Sequence, residues 1–247
     1  MKLNKIYLII LSIIFIVSTA SAKENFKDIY KKNIEARGGN ALISSLNSYI
    51  INGELIREDS IHFHFRGAFK YPDKSIIEYY LDEDTLAIGF NGKLGWTLMP
   101  QIGMNPIELP TDKVKESVLL TITPIIEYFN ELDNFKDKSK EIKIIDNKDS
   151  INNIPQFMLI CPIKDNEAEI IFINKTDYQI SQINTSFTVG DSTQTAIINL
   201  SDYRNIQNLN IPHHIKIYNS KTVISEIFVK SIEVNPKLED IIFDIPK

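Results

Sequence analysis

Residues 61–71 read Ile-His-Phe-His-Phe-Arg-Gly-Ala-Phe-Lys-Tyr. Successive side chains of a β-strand point to opposite faces. Ile61, Phe63, Phe65, Gly67, Phe69 and Tyr71 therefore fall on one face, and His62, His64, Arg66, Ala68 and Lys70 on the other. One face is aromatic and apolar, the other basic and wet. That alternation commits the segment to a half-buried strand of an antiparallel sheet. Neighbouring segments extend the apolar face with Ile77 and Tyr79, then Ile88 and Phe90, then Trp96 and Leu98.

The pattern around this strand sets the fold class. Phe26, Ile29, Tyr30 and Ile34 recur at helical spacing, and Gly38-Gly39 supplies a C-cap. Asn40 is placed to cap a short second helix, 41–46. From Ser48 to Met99 the pattern is of strands, with breaks expected at Asn52-Gly53, Tyr71-Pro72-Asp73 and Asn91-Gly92. Between Asp112 and Asn130 the period returns to helical. Val114, Val118, Ile122, Ile125 and Phe129 form one apolar stripe, with Pro124 as a break. From Glu141 onward strands resume, for a total of about ten or eleven. Helix, meander, helical insertion, meander is an α+β plan with an antiparallel sheet, not alternating βαβ. A meander this long must curl to protect its edges, so a curved, partly closed sheet with helices on one side is expected.

The N-terminus carries a different signal. Lys2 and Lys5 precede an apolar run from Ile6 to Val17, and Ala20-Ser21-Ala22 forms a small-residue cleavage motif. This is the pattern of a secretory signal peptide, cleaved after Ala22. The apolar run is shorter than the about 20 residues that span a bilayer. No Cys follows it to carry a lipid. Residues 23–247 then form an exported single domain without a lipid anchor.

Composition narrows the function classes. The net charge of −5 argues against nucleic acid, whose phosphates demand a basic face. One Cys excludes a disulfide framework and Cys-based zinc clusters. That residue, Cys161, lies in the apolar run Phe157-Met158-Leu159-Ile160-Cys161, where a buried, inert thiol is expected. His62 and His64 share a strand face as a metal site would require. Arg66 and Lys70 share it too, and their charges disfavour a cation. His213 and His214 are neighbours, so they face opposite ways in a strand. Asp82-Glu83-Asp84 lacks the spaced oxygens and the glycine of a calcium loop. No nucleophile elbow, P-loop, dinucleotide fingerprint or zinc-protease motif is present. The expectation is a non-enzyme without metal or cofactor.

Several segments resemble one family. They are Glu35-Ala36-Arg37-Gly38-Gly39, Phe69-Lys70-Tyr71-Pro72-Asp73, and Phe90-Asn91-Gly92-Lys93-Leu94-Gly95-Trp96-Thr97-Leu98-Met99-Pro100. Asp202-Tyr203-Arg204 with Ile211-Pro212-His213-His214-Ile215 follows, and Ile232-Glu233-Val234-Asn235-Pro236 with Ile242-Phe243-Asp244-Ile245-Pro246 closes the chain. Together they are similar to the LolA-like, outer-membrane lipoprotein-sorting protein family. The resemblance implies an incomplete antiparallel barrel, a helical lid and an apolar cavity for acyl chains, in a monomeric protein that ferries lipoproteins through the periplasm. Its partners would be lipoprotein acyl chains or other lipid, and lipoprotein-handling proteins of the inner and outer membranes. The cavity would be lined by Phe63, Phe65, Phe69, Tyr71, Ile77, Tyr79, Ile88, Phe90, Trp96 and Leu98, and closed by Val118, Ile122, Ile125 and Phe129. The carrier's Arg before the strand-ending Pro is replaced here by Tyr71, which carries no charge and cannot form a forked pair. The alternative is a structural domain with a filled core that binds a protein partner through its surface.

Overall fold

The computed structural model describes residues 24–58, 60–100, 103, 105–110, 132–151, 154–163, 168–189, 192–219 and 222–246. The proposed signal peptide and the stripe of Val118, Ile122, Ile125 and Phe129 lie outside them.

Helix α1 spans Phe26–Arg37. The Asn25 side chain accepts the Asp28 N–H at 3.1 Å, and Gly38 at φ 123° ends the helix by donating to the carbonyls of Glu35 and Ile34. Its buried stripe, Phe26, Ile29, Asn33, Ile34 and Arg37, repeats at the spacing that holds one helical face against the sheet. Helix α2 is the short Asn40–Ser44, with Gly39 rather than Asn40 at its N-cap.

Thirteen strands follow among the described residues. They are β1 (Ser48–Arg57), β2 (His62–Lys70), β3 (Lys74–Leu81), β4 (Asp84–Phe90), β5 (Gly95–Leu98) and β6 (Ile107–Leu109), then β7 (Lys143–Ile151), β8 (Ile154–Pro162), β9 (Ala168–Asn174), β10 (Ile180–Val189), β11 (Ser192–Ile206), β12 (Leu209–Asn219) and β13 (Thr222–Val234). All pair antiparallel in one sheet ordered β6-β5-β4-β3-β2-β1-β13-β12-β11-β10-β9-β8-β7. Two meanders thus meet at a seam between β1 and β13, where Tyr49 lies opposite Val234 and Arg57 opposite Ser225. The sheet does not close on itself: an incomplete barrel.

Each face has its own core. The inner face carries the larger one, from Tyr49, Ile51 and Phe65 through Ile215 and Ile227 to Leu159 and Ile171, with Phe26 and Ile29 of α1 packed on it. The outer face of β2–β5 carries a smaller one. Ala68, Ile76, Ala87 and Trp96 pack there against Phe243, with Leu98, Leu238, Ile242 and Ile245 around them. The C-terminal segment forms this outer cover. Lys70 Nζ donates to the Leu238 carbonyl at 3.0 Å, both Lys70 and Lys74 pair with Asp240, and Asn91 Nδ2 donates to Asp244 at 2.9 Å.

The structure corrects three expectations. Asn52-Gly53 is not a turn: β1 runs through it, and the register with β13 shifts there. The basic face of residues 62–70 is wet only at its first half, because Ala68 is buried and Lys70 ties down the C-terminal segment. Trp96 and Leu98 belong to the outer face, not to the inner one. Directly opposed residues share a face, and Gly89 opposes Trp96 while Ile88 opposes Thr97. The indole lies over the bare α-carbon of Gly89, where an added Cβ would come within 2.3 Å of the ring.

Candidate functional site

The inner face of β1–β4 brings eight of the ten residues expected to line a cavity onto one surface. Phe63 opposes Leu55, Phe65 opposes Gly53 and Tyr79, and Phe69 opposes Tyr49. Ile77 opposes Ile88, and Tyr79 also opposes Leu86. Gly53 is required here, because a Cβ would meet the backbone carbonyl oxygen of Phe228 at 2.5 Å and the Phe65 ring at 2.7 Å. The rings interlock: Tyr49 stacks on Phe69 with centroids 5.1 Å apart, Tyr71 meets Tyr49 edge-on at 6.3 Å, and Phe63 meets Tyr79 edge-on at 6.0 Å.

Burial divides these residues. Phe65, Phe69, Ile77, Tyr79 and Ile88 are all buried and are structural members of the core. Phe63, Tyr71 and Phe90 are only partly buried at the edge of that core. Tyr71 takes the place of the carrier's Arg; its backbone N–H donates to the Asn47 carbonyl at 2.9 Å. Lys70 faces outward, bonded to Leu238 and Asp240 of the C-terminal segment.

The 3-10 turn Asp133–Phe135 adds Leu132 and Phe135 to the inner core and bonds back to α1 through Tyr30 and Asp133. Burial, reinforced by that carboxylate, pushes the Tyr30 hydroxyl up to about 12. It stays a neutral donor at any physiological pH.

Two histidines of β12 are held within the sheet. His213 points inward and is 3% exposed, with Nδ1 2.8 Å from the Ile211 carbonyl. Desolvation lowers its pKa despite that bond, so it is the neutral imidazole near pH 7. His214 points outward and stacks on Phe228 at 4.7 Å. Its Nε2 lies 2.7 Å from Glu226, and its Nδ1 lies 3.1 Å from Ser201 Oγ. Burial raises the Glu226 carboxyl, but hydrogen bonds from His214 and Lys216 outweigh it and hold the group below its ordinary value. Lys216 shares that carboxylate at 3.2 Å, and Ser201 Oγ also donates to the His214 carbonyl at 3.3 Å. The set is a cross-strand network on an outer face; nothing in the spacing of these residues along the chain announces it. His62 and His64 lie exposed on the outer face, His64 3.9 Å from Glu54. Among the described residues no three His, Cys, Asp or Glu side chains converge as metal ligands. Cys161 is buried in the inner core.

The sequence matches no family model and no curated protein. Solved structures do resemble the fold. A domain described as an outer membrane lipoprotein-sorting protein domain from Vibrio parahaemolyticus superposes with a TM-score of 0.56 at 12% identity, over 89% of this chain and 97% of its own. A LolA superfamily protein from Nitrosomonas europaea does so with a TM-score of 0.52 at 15% identity, over 90% and 98%. A DUF1329 family protein from Desulfovibrio piger gives 0.55 at 10% identity, over 90% and 98%. The fold is LolA-like.

Proposed function

We propose that this chain is an exported, non-enzymatic carrier or sensor that binds acyl chains of lipoproteins or other lipids on the inner face of its open sheet. The observation that supports this most directly is the set of partly exposed rings, Phe63, Tyr71 and Phe90, at the margin of a continuous apolar inner face. Flat rings beside an apolar wall suit methylene chains, and each buried CH₂ contributes about 0.8 kcal/mol. The LolA-like fold adds to the reading, since two of the similar structures carry lipoprotein-sorting or LolA descriptions. The N-terminal segment supports export, and no helix among the described residues is long and apolar enough to cross a membrane. In this reading residues 23–247 act as one domain. The helical stripe of Val118, Ile122, Ile125 and Phe129 is its lid, and lipoprotein-handling membrane proteins are its partners.

Native mass spectrometry of the exported protein, with solvent extraction, tests the proposal. A co-purifying acylated species that is lost in Phe63→Glu, with circular dichroism unchanged, supports it. A bare protein mass and no uptake of added lipid or lipoprotein overturn it. That outcome favours a second reading, a filled domain that binds a protein partner by its surface; the tight packing of Phe65 on Gly53 speaks for that one.

A further inference from the structure

Strands β8 and β9 are apolar on both faces. Phe157-Met158-Leu159-Ile160-Cys161 and Ile170-Ile171-Phe172-Ile173 are unbroken apolar runs, the pattern of strands covered on both sides. The odd positions account for one side. Leu159, Cys161, Ile171 and Ile173 are buried in the inner core, and Phe157 packs against it. The even positions point the other way, and the register lines them up. Ile145 of β7 opposes Met158, which opposes Phe172; in the next row Lys143 opposes Ile160, which opposes Ile170. Directly opposed residues share a face. Ile145, Met158, Ile160, Ile170 and Phe172 therefore form one apolar patch across three strands of the outer face.

At the other end of the sheet, the outer apolar face of β2–β5 is covered by Phe243 and its neighbours. The patch on β7–β9 belongs to neither core, and all five side chains keep solvent exposure, 42% for Ile145. A contiguous exposed apolar patch marks a contact surface.

Its margin narrows the partner. On β10, Gln182 opposes Phe172 and Asn184 opposes Ile170, their amides joined at 2.7 Å; Gln156 and Asn174 form the row beyond. Lys143 stands exposed at the corner, on the last strand of the sheet. Among the described residues this stretch of outer face carries no carboxylate, in a chain of net charge −5; Glu169 faces inward, opposite Cys161. A symmetric contact with a second copy would set Lys143 against a face without an acid. The outer wall of a curled sheet is convex and gives a partner helix no groove to lie in. A fluid surface with anionic head groups accepts such a wall: apolar side chains enter the acyl boundary while lysine stays among the phosphates.

We propose that the outer face of β7–β9 docks this protein on a lipid bilayer that carries anionic head groups. The contact lies on the opposite side of the sheet from the inner face and does not depend on what that face binds.

The test is flotation of the exported protein with vesicles of phosphatidylethanolamine and phosphatidylglycerol, and with vesicles of phosphatidylcholine alone. Binding to the anionic vesicles is expected to fall about fivefold in Lys143→Gln, and at least about tenfold in the double variant Ile145→Ser, Phe172→Gln. Phosphatidylcholine should bind the wild type more weakly. Ile241→Ser, at an isoleucine 71% exposed on the C-terminal segment, should float as the wild type does. Phe172→Trp supplies a second reading that stands even if the double variant fails to fold. Its new indole should be quenched by brominated acyl chains, while Trp96, buried under the C-terminal segment, is not. No flotation with anionic vesicles, flotation that the double variant keeps, or an unquenched indole overturns the proposal. Equal flotation with both vesicle types overturns the anionic head group. A dimer in sedimentation velocity that Ile145→Ser dissolves, without vesicle binding, assigns the face to a second copy and overturns the bilayer.

Discussion

The indole Nε1 of Trp96 donates to the carbonyl oxygen of Phe243 at 2.9 Å, across the buried outer face of the sheet. A ring on β5 thereby holds the C-terminal turn to β2–β5, and the turn in return buries Ala68, Ile76 and Ala87. Trp96→Phe keeps most of the apolar contact but strands the Phe243 carbonyl. The expected loss is about 2 kcal/mol in a denaturant titration, with faster proteolysis near residue 240. An unchanged midpoint would show that the segment is not held by this bond.

Phe63 and Phe65 lie on the same face of one strand, yet they should behave differently. Phe65→Ala removes a ring packed against Gly53 and should cost about 3–5 kcal/mol. Phe63→Ala touches a half-buried ring and should cost about 1–2 kcal/mol. If the acyl-chain reading holds, Phe63→Ala also weakens uptake of a fluorescent fatty acid. Thermal melts and fluorescence titration of both variants check the ranking.

His213 makes stability fall on the acid side. Its folded pKa lies below the ordinary imidazole value, so the unfolded chain takes up a proton first as pH drops below about 6.5. Unfolding is then favoured progressively below that point, while above about pH 7 both states are neutral and the residue contributes no slope. His213→Asn should flatten the pH 7-to-5 segment of a melting-temperature profile. A wild-type profile already flat there would contradict the burial of this ring.

Asp240 acts at a lower pH. Hydrogen bonds from Lys70 and then Lys74 hold its carboxyl down to about 2. A depressed folded pKa gives stability that is present above the ordinary carboxylate value and lost as pH falls towards 2. Asp240→Asn should melt slightly below the wild type near neutral pH and converge with it at about pH 2. Both groups are solvent-accessible, so added salt should shrink the difference.

Much of the inner face is legible in the sequence because a period of two survives from residue 61 to residue 71 and across β3 and β4. The fifth strand breaks the rule for a physical reason. Alternation marks the inner face only where the outer face is wet, and the C-terminal segment dries the outer face of β5. Trp96 and Leu98 therefore look inward by composition while Thr97 is the inner residue, its hydroxyl bonded to the Ala87 carbonyl at 3.1 Å. Asn52-Gly53 misleads in another way. The dipeptide signals a turn, but here glycine lets the Phe228 carbonyl of β13 and the Phe65 ring both lie close on the backbone. The outer His214–Glu226 network comes from three strands, and only their register brings it together.

The seam between β1 and β13 also governs how such a chain can reach its native state. The first strand made must wait for the last, since its partner along this edge is residues 225–234. Until then both meanders carry an open edge, β1 on one and β12 on the other, each able to recruit a foreign strand. Contacts between distant parts of a chain are slow to form because loop closure must precede them. Formation of β13 is what allows two half-sheets to become one.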